Sequence, residues 1–176
     1  MAKAKRGVYW GRFNPPHNGH LKVIQHLLEK ECEELVVAIG SCLSSHTERN
    51  PFSGGERLLM LKEMLAEEEL LEKCLLVQVP DGESFASTAS NLRIACPPFS
   101  VLYTNRAVIA DIFSSWGVAV KTFPDFERAL YQSTNARKAL LEGKKVSHLV
   151  PPAVEKWLSQ NNGFERLKIC SSDKYE

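Results

Sequence analysis

The sequence predicts an α/β fold in which helices cover both faces of a doubly wound parallel sheet. Two observations lead to this prediction. Short, continuous apolar runs alternate along the chain with longer segments whose apolar residues recur at helical spacing. The apolar runs lack the polar alternation of a half-exposed sheet, so both faces of each strand are expected to be covered, as in parallel sheets. Strands that alternate with helices are joined by right-handed crossovers, which place helices on both sides of the sheet.

The predicted elements follow one another in that alternating order. About five strands are expected, over residues 7–13, 35–39, 74–79, 99–103 and 118–120. Helices are expected over residues 18–30, 53–71, 84–95 and 105–116, followed by C-terminal helices over 134–142 and 152–160. Ser53 is the expected N-cap of the second helix, because Glu56 stands three residues later and completes a capping box.

The composition is typical of one folded domain, which is expected over residues 1–169 with a loose tail over 170–176. The chain has 176 residues, of which 44% are hydrophobic and 24% charged, enough for a substantial core. Its 22 basic and 21 acidic residues give a net charge of +1, so no nucleic-acid partner is expected. No apolar run approaches the roughly 20 residues that span a membrane.

Five cysteines are scattered through the chain without a CxxC pair or a histidine at metal-ligand spacing. They are expected to be reduced thiols, mostly buried, which is typical of a cytoplasmic protein. The apolar run that follows the basic N-terminus is too short for the core of a signal peptide.

Residues 11–20, Gly-Arg-Phe-Asn-Pro-Pro-His-Asn-Gly-His, join the first predicted strand to the first predicted helix. A helix start exposes backbone N–H groups that suit an anion. His17 and His20 at that start add side-chain donors for the same phosphate group. The alternative is that both histidines only cap the helix and pack against its first turn. An HxGH pattern directly after such a strand is rare enough by chance to favour the phosphate site.

No other nucleotide-binding motif competes with this segment. The sequence contains neither a GxxxxGKS or GxxxxGKT P-loop nor a GxGxxG fingerprint after its first strand. The fold is therefore expected to be Rossmann-like with HxGH in place of the glycine fingerprint. Sites in such sheets lie beyond the carboxyl ends of the strands. The loops expected to meet there cover residues 14–18, 40–50, 80–85 and 104–106.

Several further motifs resemble one family over residues 6–168. After HNGH come Ser-His-Thr-Glu-Arg-Asn-Pro-Phe at 45–52, Val-Pro-Asp at 79–81 and Ser-Thr-Asn-Ala-Arg at 133–137. HxGH alone is shared by several nucleotidyltransferases, but this order and spacing resemble the archaeal-type nicotinamide mononucleotide (NMN) adenylyltransferases. The resemblance implies that the chain binds ATP and a mononucleotide, transfers AMP from ATP to NMN, and releases NAD and pyrophosphate.

The resemblance also implies which residues bind the triphosphate. His17, His20 and Arg137 are the implied catalytic residues, because they would donate to the phosphates. The other implied ATP- and phosphate-binding residues are Gly11, Arg12, Phe13, Arg49, Asn105 and Thr134. Mg²⁺ is expected to arrive with the triphosphate, held mainly by phosphate oxygens and water and by no metal ligand of the protein. Arg57 is open to either a functional or a structural role.

The implied acceptor-binding residues are Ser41, His46, Asp81, Phe85 and Thr88. The family usually carries a tryptophan in this region that stacks on the nicotinamide ring, and Thr88 stands at that place here. Phe85, one helical turn earlier, is the candidate that would stack instead. At the start of the 133–137 motif, Gln132 replaces the serine usual in the family.

The missing tryptophan leaves a second hypothesis open, in which the same fold uses another phosphorylated acceptor. Nicotinic acid mononucleotide, FMN and a CTP-dependent cytidylyl transfer are the alternatives considered. A third hypothesis is a nucleotide-binding sensor without catalytic activity, which the complete phosphate-binding set disfavours. A homo-oligomer is expected.

Overall fold

Five parallel strands form one sheet, which confirms the predicted fold class. A computed structural model describes residues 3–127 and 129–172. The strands are β1 (Ala4–Gly11), β2 (Cys32–Ile39), β3 (Cys74–Gln78), β4 (Val101–Tyr103) and β5 (Ala119–Lys121). Their order in the sheet is β3-β2-β1-β4-β5, and every neighbouring pair is parallel.

All six predicted helices form. They are α1 (Asn18–His26), α2 (Gly54–Glu67), α3 (Phe85–Ala95), α4 (Ala107–Ser115), α5 (Ser133–Leu141) and α6 (Pro152–Gln160). Helix α1 continues into one π-helical turn, and Ser53 caps α2 in the expected capping box with Glu56. Among the described helices, none combines the length and the apolar composition that a bilayer crossing requires.

The expected tail beginning at residue 170 is wrong for its first residues. A seventh helix, α7 (Gly163–Ser172), continues through that boundary, and Leu167 and Cys170 are buried on its inner face. The segment contacts α5 and α6, so packing rather than a local sequence signal stabilises it. Residues 173–176 of the predicted tail lie outside the described residues.

Two apolar cores cover the two faces of the sheet. Alternate side chains of the central strands point to opposite sides, so Val37 and Ile39 join one core and Val36 and Ala38 the other. The first core includes residues of α1, α2, α5, α6 and α7, and the second includes residues of α3 and α4. The sheet therefore lies between two helical layers.

The cysteines are mostly buried, as expected from the sequence. Cys32, Cys74 and Cys96 are buried free thiols, and Cys42 is partly exposed. Burial raises the pKa of Cys32 to about 11 and that of Cys74 to about 12. Because the thiolate is the reactive form, these side chains behave as packing residues.

The direction of winding reverses at β1. Strand β1 pairs with β2 on one side and with β4 on the other. The crossovers to these two neighbours leave a crevice beyond the carboxyl ends of β1 and β4, where α/β sheets bind ligands. The loop that follows β1 is the HxGH segment, so the fold places that motif at the crevice.

Arg57 joins the loops behind this crevice. It is fully buried, and its Nη1 donates to the carbonyl oxygens of Arg12 and Gly40, each at 2.8 Å. Its Nη2 donates to the carbonyl of Ser41 at 2.8 Å, and its Nε to that of Ser53 at 3.1 Å. The guanidinium therefore connects the segments after β1 and β2 to the start of α2. The sequence left open whether Arg57 has a functional or a structural role, and these contacts indicate the structural role.

Replacing Arg57 with alanine should destabilise the fold. The change leaves carbonyl groups without a partner in a buried site, and each such group costs about 1–3 kcal/mol. We expect the free energy of unfolding, measured by urea denaturation, to fall by at least about 3 kcal/mol. Lys62→Ala, at an exposed position of the same helix, is the control and should change stability by less than about 0.5 kcal/mol. Equal stability losses in the two variants would contradict the role of Arg57.

Candidate active site

The turn between β1 and α1 is fixed by Asn14. This residue is buried and precedes a cis peptide bond to Pro15. Its side-chain Nδ2 donates to the carbonyl of Phe52 at 3.1 Å, and its Oδ1 accepts from the backbone N–H of Phe52 at 3.2 Å. The HxGH segment and the segment at 45–52, which lie far apart in sequence, are therefore joined directly.

His17 and His20 form a reciprocal capping box at the start of α1. The backbone N–H of His20 donates to Nδ1 of His17 at 3.3 Å, and the N–H of His17 donates to Nδ1 of His20 at 3.2 Å. A neutral imidazole that accepts at Nδ1 carries its proton on Nε2. This hydrogen-bond pattern assigns an Nε2–H donor to each ring. The capping and phosphate-binding interpretations are thus compatible, because the cap uses one nitrogen of each ring and leaves the other.

Both histidines are neutral at neutral pH. Their rings stack with centroids 3.5 Å apart and an angle of 21° between planes. Burial lowers the pKa of His17 to about 3. Burial, together with repulsion from His17, holds the pKa of His20 well below its usual value. The pair can therefore offer hydrogen-bond donors without adding a positive charge.

Phe13 and Gly19 position the two rings. Phe13 is fully buried, and its ring centroid lies 4.6 Å from that of His20. The phosphate-binding role predicted for Phe13 is therefore limited to its main chain. A Cβ at Gly19 would lie 2.7 Å from Cβ of Tyr131 and 3.1 Å from Nδ1 of His17. The glycine of HxGH is required by this close approach.

Helix α5 brings Arg137 and Thr134 to the same turn. Nη1 of Arg137 donates to the carbonyl of Asn14 at 2.8 Å, and its Nη2 lies 3.4 Å from Oγ1 of Thr134. Ser133 Oγ donates to the carbonyl of Pro15 at 3.1 Å, which fixes the helix start against the HxGH segment. The side chain of Gln132, the N-cap residue, makes no capping hydrogen bond. Gln132 thus offers no side-chain acceptor to the first-turn N–H groups of α5, and N–H groups at a helix start suit an anion.

Arginines from several loops lie within electrostatic reach of one another. Burial lowers the pKa of Arg137, and repulsion from Arg12 and Arg49 lowers it further. Burial also lowers the pKa of Arg12, as does repulsion from Arg49 and Arg106. Glu48 and Asp81 offset these effects only in part. A group of mutually repelling cations at a helix start is the arrangement that a polyanion such as a triphosphate would stabilise.

A cavity of about 540 Å³ adjoins this group of arginines at the carboxyl ends of the strands. The predicted site residues that line it are Gly11, Arg12, Ser41, Arg49, Asp81, Phe85 and Thr88. Four of the five predicted acceptor-binding residues are therefore brought together. The histidines, Thr134 and Arg137 are outside this lining.

His46 and Asn105, two further predicted binding residues, also lie outside the cavity lining. His46 is exposed, and its Nδ1 lies 3.0 Å from Oγ of Ser45. The amide of Asn105 uses both its ends on Phe123, donating to the carbonyl at 3.0 Å and accepting from the N–H at 3.1 Å. Asn105 thus connects the ends of β4 and β5, a contact between distant segments that the sequence alone did not indicate.

Thr88, at the place of the expected tryptophan, is buried and its hydroxyl is used internally. Oγ1 accepts from the N–H of Gly82 at 2.8 Å and donates to the carbonyl of Ser84 at 2.9 Å. Thr88 therefore fixes the loop before α3 and offers no ring. Aromatic surface in the cavity comes from Phe85 and from Trp10.

Sequence reasoning missed Trp10 and Arg106 as cavity residues. Trp10 belongs to β1, where its apolar character suggested only core packing. Arg106 follows β4 in the loop at 104–106, which was expected to reach the site. Its place in that loop was the signal that could have identified it as a cavity residue. Within the described residues, no group of three or more His, Cys, Asp or Glu side chains is arranged to hold a metal ion.

The depressed histidine pKa values predict a pH dependence of stability. A folded-state pKa of about 3 for His17, against about 6.5 unfolded, means that the unfolded chain binds more protons between these values. The contribution of neutral His17 to the free energy of unfolding is therefore fully present above about pH 6.5 and is lost as the pH falls toward 3. We expect His17→Asn to reduce the slope of unfolding free energy between pH 4.5 and 6 by about 1.4 kcal/mol per pH unit. Parallel slopes for the two proteins would contradict the neutral, buried state of His17.

The fold and the paired histidines define an HxGH nucleotidyltransferase, and comparison with known proteins gives the family. Residues 8–139 match the Cytidylyltransferase-like family. The chain is 37% identical over 169 residues to nicotinamide-nucleotide adenylyltransferase of Methanoculleus marisnigri, a match that covers 96% of this chain and 99% of that protein. The chain belongs to the nicotinamide-nucleotide adenylyltransferases within the Cytidylyltransferase-like family, as its motifs predicted.

Solved structures share the fold at lower identity. A bifunctional NMN adenylyltransferase/ADP ribose pyrophosphatase from Francisella tularensis, complexed with AMP and a manganese ion, superposes with a TM-score of 0.74 at 17% identity. The match covers 96% of this chain and 52% of that one, so this chain spans about half of the bifunctional protein. The nicotinic acid mononucleotide adenylyltransferase of Plasmodium falciparum, complexed with APC, superposes with a TM-score of 0.65 at 14% identity. That match covers 92% of this chain and 98% of the other.

Proposed function

We propose that this chain transfers AMP from ATP to nicotinamide mononucleotide and so forms NAD and pyrophosphate. The observation that carries the proposal is the reciprocal capping box of His17 and His20, which holds two neutral donors beside a group of arginines. The adjoining cavity has the volume of a site for a small ligand. The related enzymes named above support the choice of substrates.

In the proposed reaction, a phosphate oxygen of NMN attacks the α-phosphorus of ATP. A new P–O bond forms there, the bond between the α-phosphorus and the bridging oxygen breaks, and pyrophosphate leaves with that electron pair. The attacking oxygen is already anionic, so the protein need not remove a proton. Its contribution is to align the reactants and to stabilise charge on the phosphoryl oxygens.

The HxGH turn and α5 would hold the triphosphate between them. Nε2–H of His17 and of His20 would donate to phosphate oxygens. Arg137 would supply a guanidinium, and Thr134 with the first-turn N–H groups of α5 would add further donors. Arg137 also contacts Asn14 directly, so the two donor sets are fixed relative to each other.

The cavity would hold the acceptor. Arg12 and Arg49 line the cavity and lie within electrostatic reach of Arg137, so the two reacting phosphates would meet beside them. Ser41 and Asp81 would contact the mononucleotide, and Phe85 would provide a face for its ring. His46 and Asn105, outside the cavity lining, would act only by holding their loops.

Mg²⁺ would enter the site bound to ATP. The described residues near the triphosphate region are mainly arginines and histidines, whereas Mg²⁺ prefers oxygen ligands. The chain's own side chains therefore do not fit a resident Mg²⁺ site, and phosphate oxygens with water would hold the ion. No step of the proposed reaction depends on a protein–metal bond.

We further propose that the enzyme acts in the cytoplasm, without nucleic acid or membrane as a partner. Cys32, Cys74 and Cys96 remain thiols, which suits a reducing compartment. The homo-oligomeric state stays a prediction, which light scattering on the purified chain would test.

The role of His20 can be separated from its role in the cap by two substitutions. His20→Asn keeps an acceptor near the position of Nδ1 and removes the group at Nε2, so we expect kcat to fall about 10²–10³-fold. His20→Gln places an amide N–H near the position of Nε2 and should retain more activity than His20→Asn. The measurement is pyrophosphate release from ATP and NMN. Wild-type turnover by folded His20→Asn would contradict the catalytic role.

Arg137→Lys should not behave as a conservative change. The ammonium group lacks the guanidinium fork, and a hydrogen bond to a charged group is worth about 1.5–3 kcal/mol. We expect kcat/KM for ATP to fall about tenfold or more, with a melting temperature close to that of the wild type. Lys138→Ala, at the next and exposed position of α5, is the control and should leave both unchanged. A loss of stability that accounts for the loss of activity would make Arg137 structural.

A different acceptor is the second candidate function, and Thr88 in place of the tryptophan is the observation that favours it. A panel of ATP and CTP with NMN, nicotinic acid mononucleotide and FMN separates the candidates by pyrophosphate release. ATP with NMN is the expected productive pair. Release with none of the acceptors, together with ATP binding, would support the sensor hypothesis instead.

A further inference from the structure

Lys22, which follows His20 by two residues on α1, contacts the segment that leads into α5. Its Nζ donates to a carboxylate oxygen of Glu127 at 2.9 Å and lies 3.4 Å from the hydroxyl oxygen of Tyr131. The same ammonium group lies 4.6 Å from the centroid of the Tyr131 ring. These three residues form what we call the Lys22 cluster. Because its two partners lie 105 and 109 residues further along the chain, the cluster joins distant segments.

Tyr131 also packs directly against the HxGH turn. A Cβ at Gly19 would lie 2.7 Å from Cβ of Tyr131, so the glycine leaves room for this side chain. Phe126 makes a second contact with α1, because its ring centroid lies 5.6 Å from that of His26, the last residue of the helix. The segment before α5 therefore lies along α1, from the HxGH turn to the other end of the helix.

Hydrogen bonds join this segment to the first turn of α5. The N–H groups of Leu130 and Tyr131 donate to the carbonyl of Glu127 at 2.8 and 2.9 Å. Nδ2 of Asn135, in the first turn of the helix, donates to the carbonyls of Ala129 and Leu130 at 2.8 and 2.9 Å. Because the segment and the helix start are bonded to each other in this way, we expect them to move as one unit.

The start of α5 depends on contacts with the rest of the molecule. Its N-cap residue, Gln132, does not supply the side-chain hydrogen bond that stabilises many helix starts. Glu127 has a φ of 52°, a conformation that residues other than glycine seldom adopt, so the turn before the helix needs contacts that hold it. The Lys22 cluster supplies such contacts, and Ser133 adds one by donating to the carbonyl of Pro15 at 3.1 Å.

We infer that Lys22 is a positioning residue, which holds the start of α5 against the HxGH turn in the geometry that binds the triphosphate. This inference rests on the proposed triphosphate site between that turn and α5. Lys22 would not contact the substrate, because Glu127 and Tyr131 engage its ammonium group. If α5 is in place in only a fraction of the molecules, the apparent dissociation constant for ATP rises by the inverse of that fraction. Bound ATP then keeps the helix in place, so kcat changes little.

The first test measures the dissociation constant for ATP by titration calorimetry on the full chain. Lys22→Met removes the charge and keeps most of the apolar stem. It should weaken ATP binding about threefold to tenfold, as expected for the loss of an exposed ion pair and a cation–π contact. At saturating ATP, kcat and KM for NMN should stay close to the wild-type values. Lys168→Met removes an exposed lysine that pairs with Glu165 at 2.8 Å on α7, and should change none of these values.

Glu127→Met separates positioning from a direct contact between Lys22 and ATP. The loss of a negative charge near a polyanion site should by itself tighten ATP binding, and it would also free Lys22 to reach the ligand. If Lys22 acts by positioning, the loss of the ion pair instead weakens ATP binding about twofold to fivefold. Tighter or unchanged binding in Glu127→Met overturns the inference.

A double-mutant cycle tests whether Lys22 acts through α5. Lys22→Met should weaken ATP binding by a smaller factor in the Arg137→Lys background than in the wild type, because a misplaced helix start matters less once its guanidinium is gone. Equal factors in the two backgrounds overturn the inference. Unchanged ATP affinity in Arg137→Lys overturns the proposed triphosphate site and with it this inference. Weaker binding in Arg137→Lys but not in Lys22→Met overturns only the positioning role of Lys22.

Discussion

The reciprocal hydrogen bonds between His17 and His20 fix both imidazole rings to the backbone at the start of α1. Each Nδ1 accepts a backbone N–H, so the direction of each Nε2–H follows from where α1 begins. That beginning is in turn fixed by Asn14, which holds the preceding turn against Phe52. The donors are therefore ordered before any ligand binds, and a preorganised donor costs no reorganisation when charge develops in a transition state.

The distribution of charge around this turn separates donors from cations. The stacked rings stay neutral because burial opposes their protonation, whereas the arginines keep their charge at a cost in mutual repulsion. Arg57 is also buried near Arg12, but each of its three side-chain nitrogens donates to at least one carbonyl group. It stabilises the loops, whereas we propose that Arg12 and Arg137 contact the ligand. A bound phosphate would relieve the repulsion among them, so we expect nucleotide binding and folding stability to be linked.

The sequence predicted those structural elements that depend on local residue patterns. The capping box of Ser53 with Glu56 depends on residues three apart, and the strands depend on continuous apolar runs, so both were predicted. Contacts between distant segments could not be predicted in this way. Helix α7 forms because it packs on α5 and α6, and Asn105 is engaged by Phe123, a residue of the segment after β5. Arg57 was left undecided for the same reason, since its partners come from three separate segments.

The two halves of the site place different demands on the sequence. A triphosphate needs donors at fixed angles, and in the proposed site these would come from a strand end and two helix starts, so the residues that supply them would stand at fixed positions. The acceptor ring needs an apolar face and a hydrogen-bonding edge, which several positions around the cavity can provide. Here the Thr88 hydroxyl holds a loop, while Phe85, Trp10 and Arg106 line the cavity in which we propose that the acceptor binds. The phosphate-binding residues implied by the motifs therefore remain our proposal, and the proposed ring contacts depend on which side chains line the cavity in this chain.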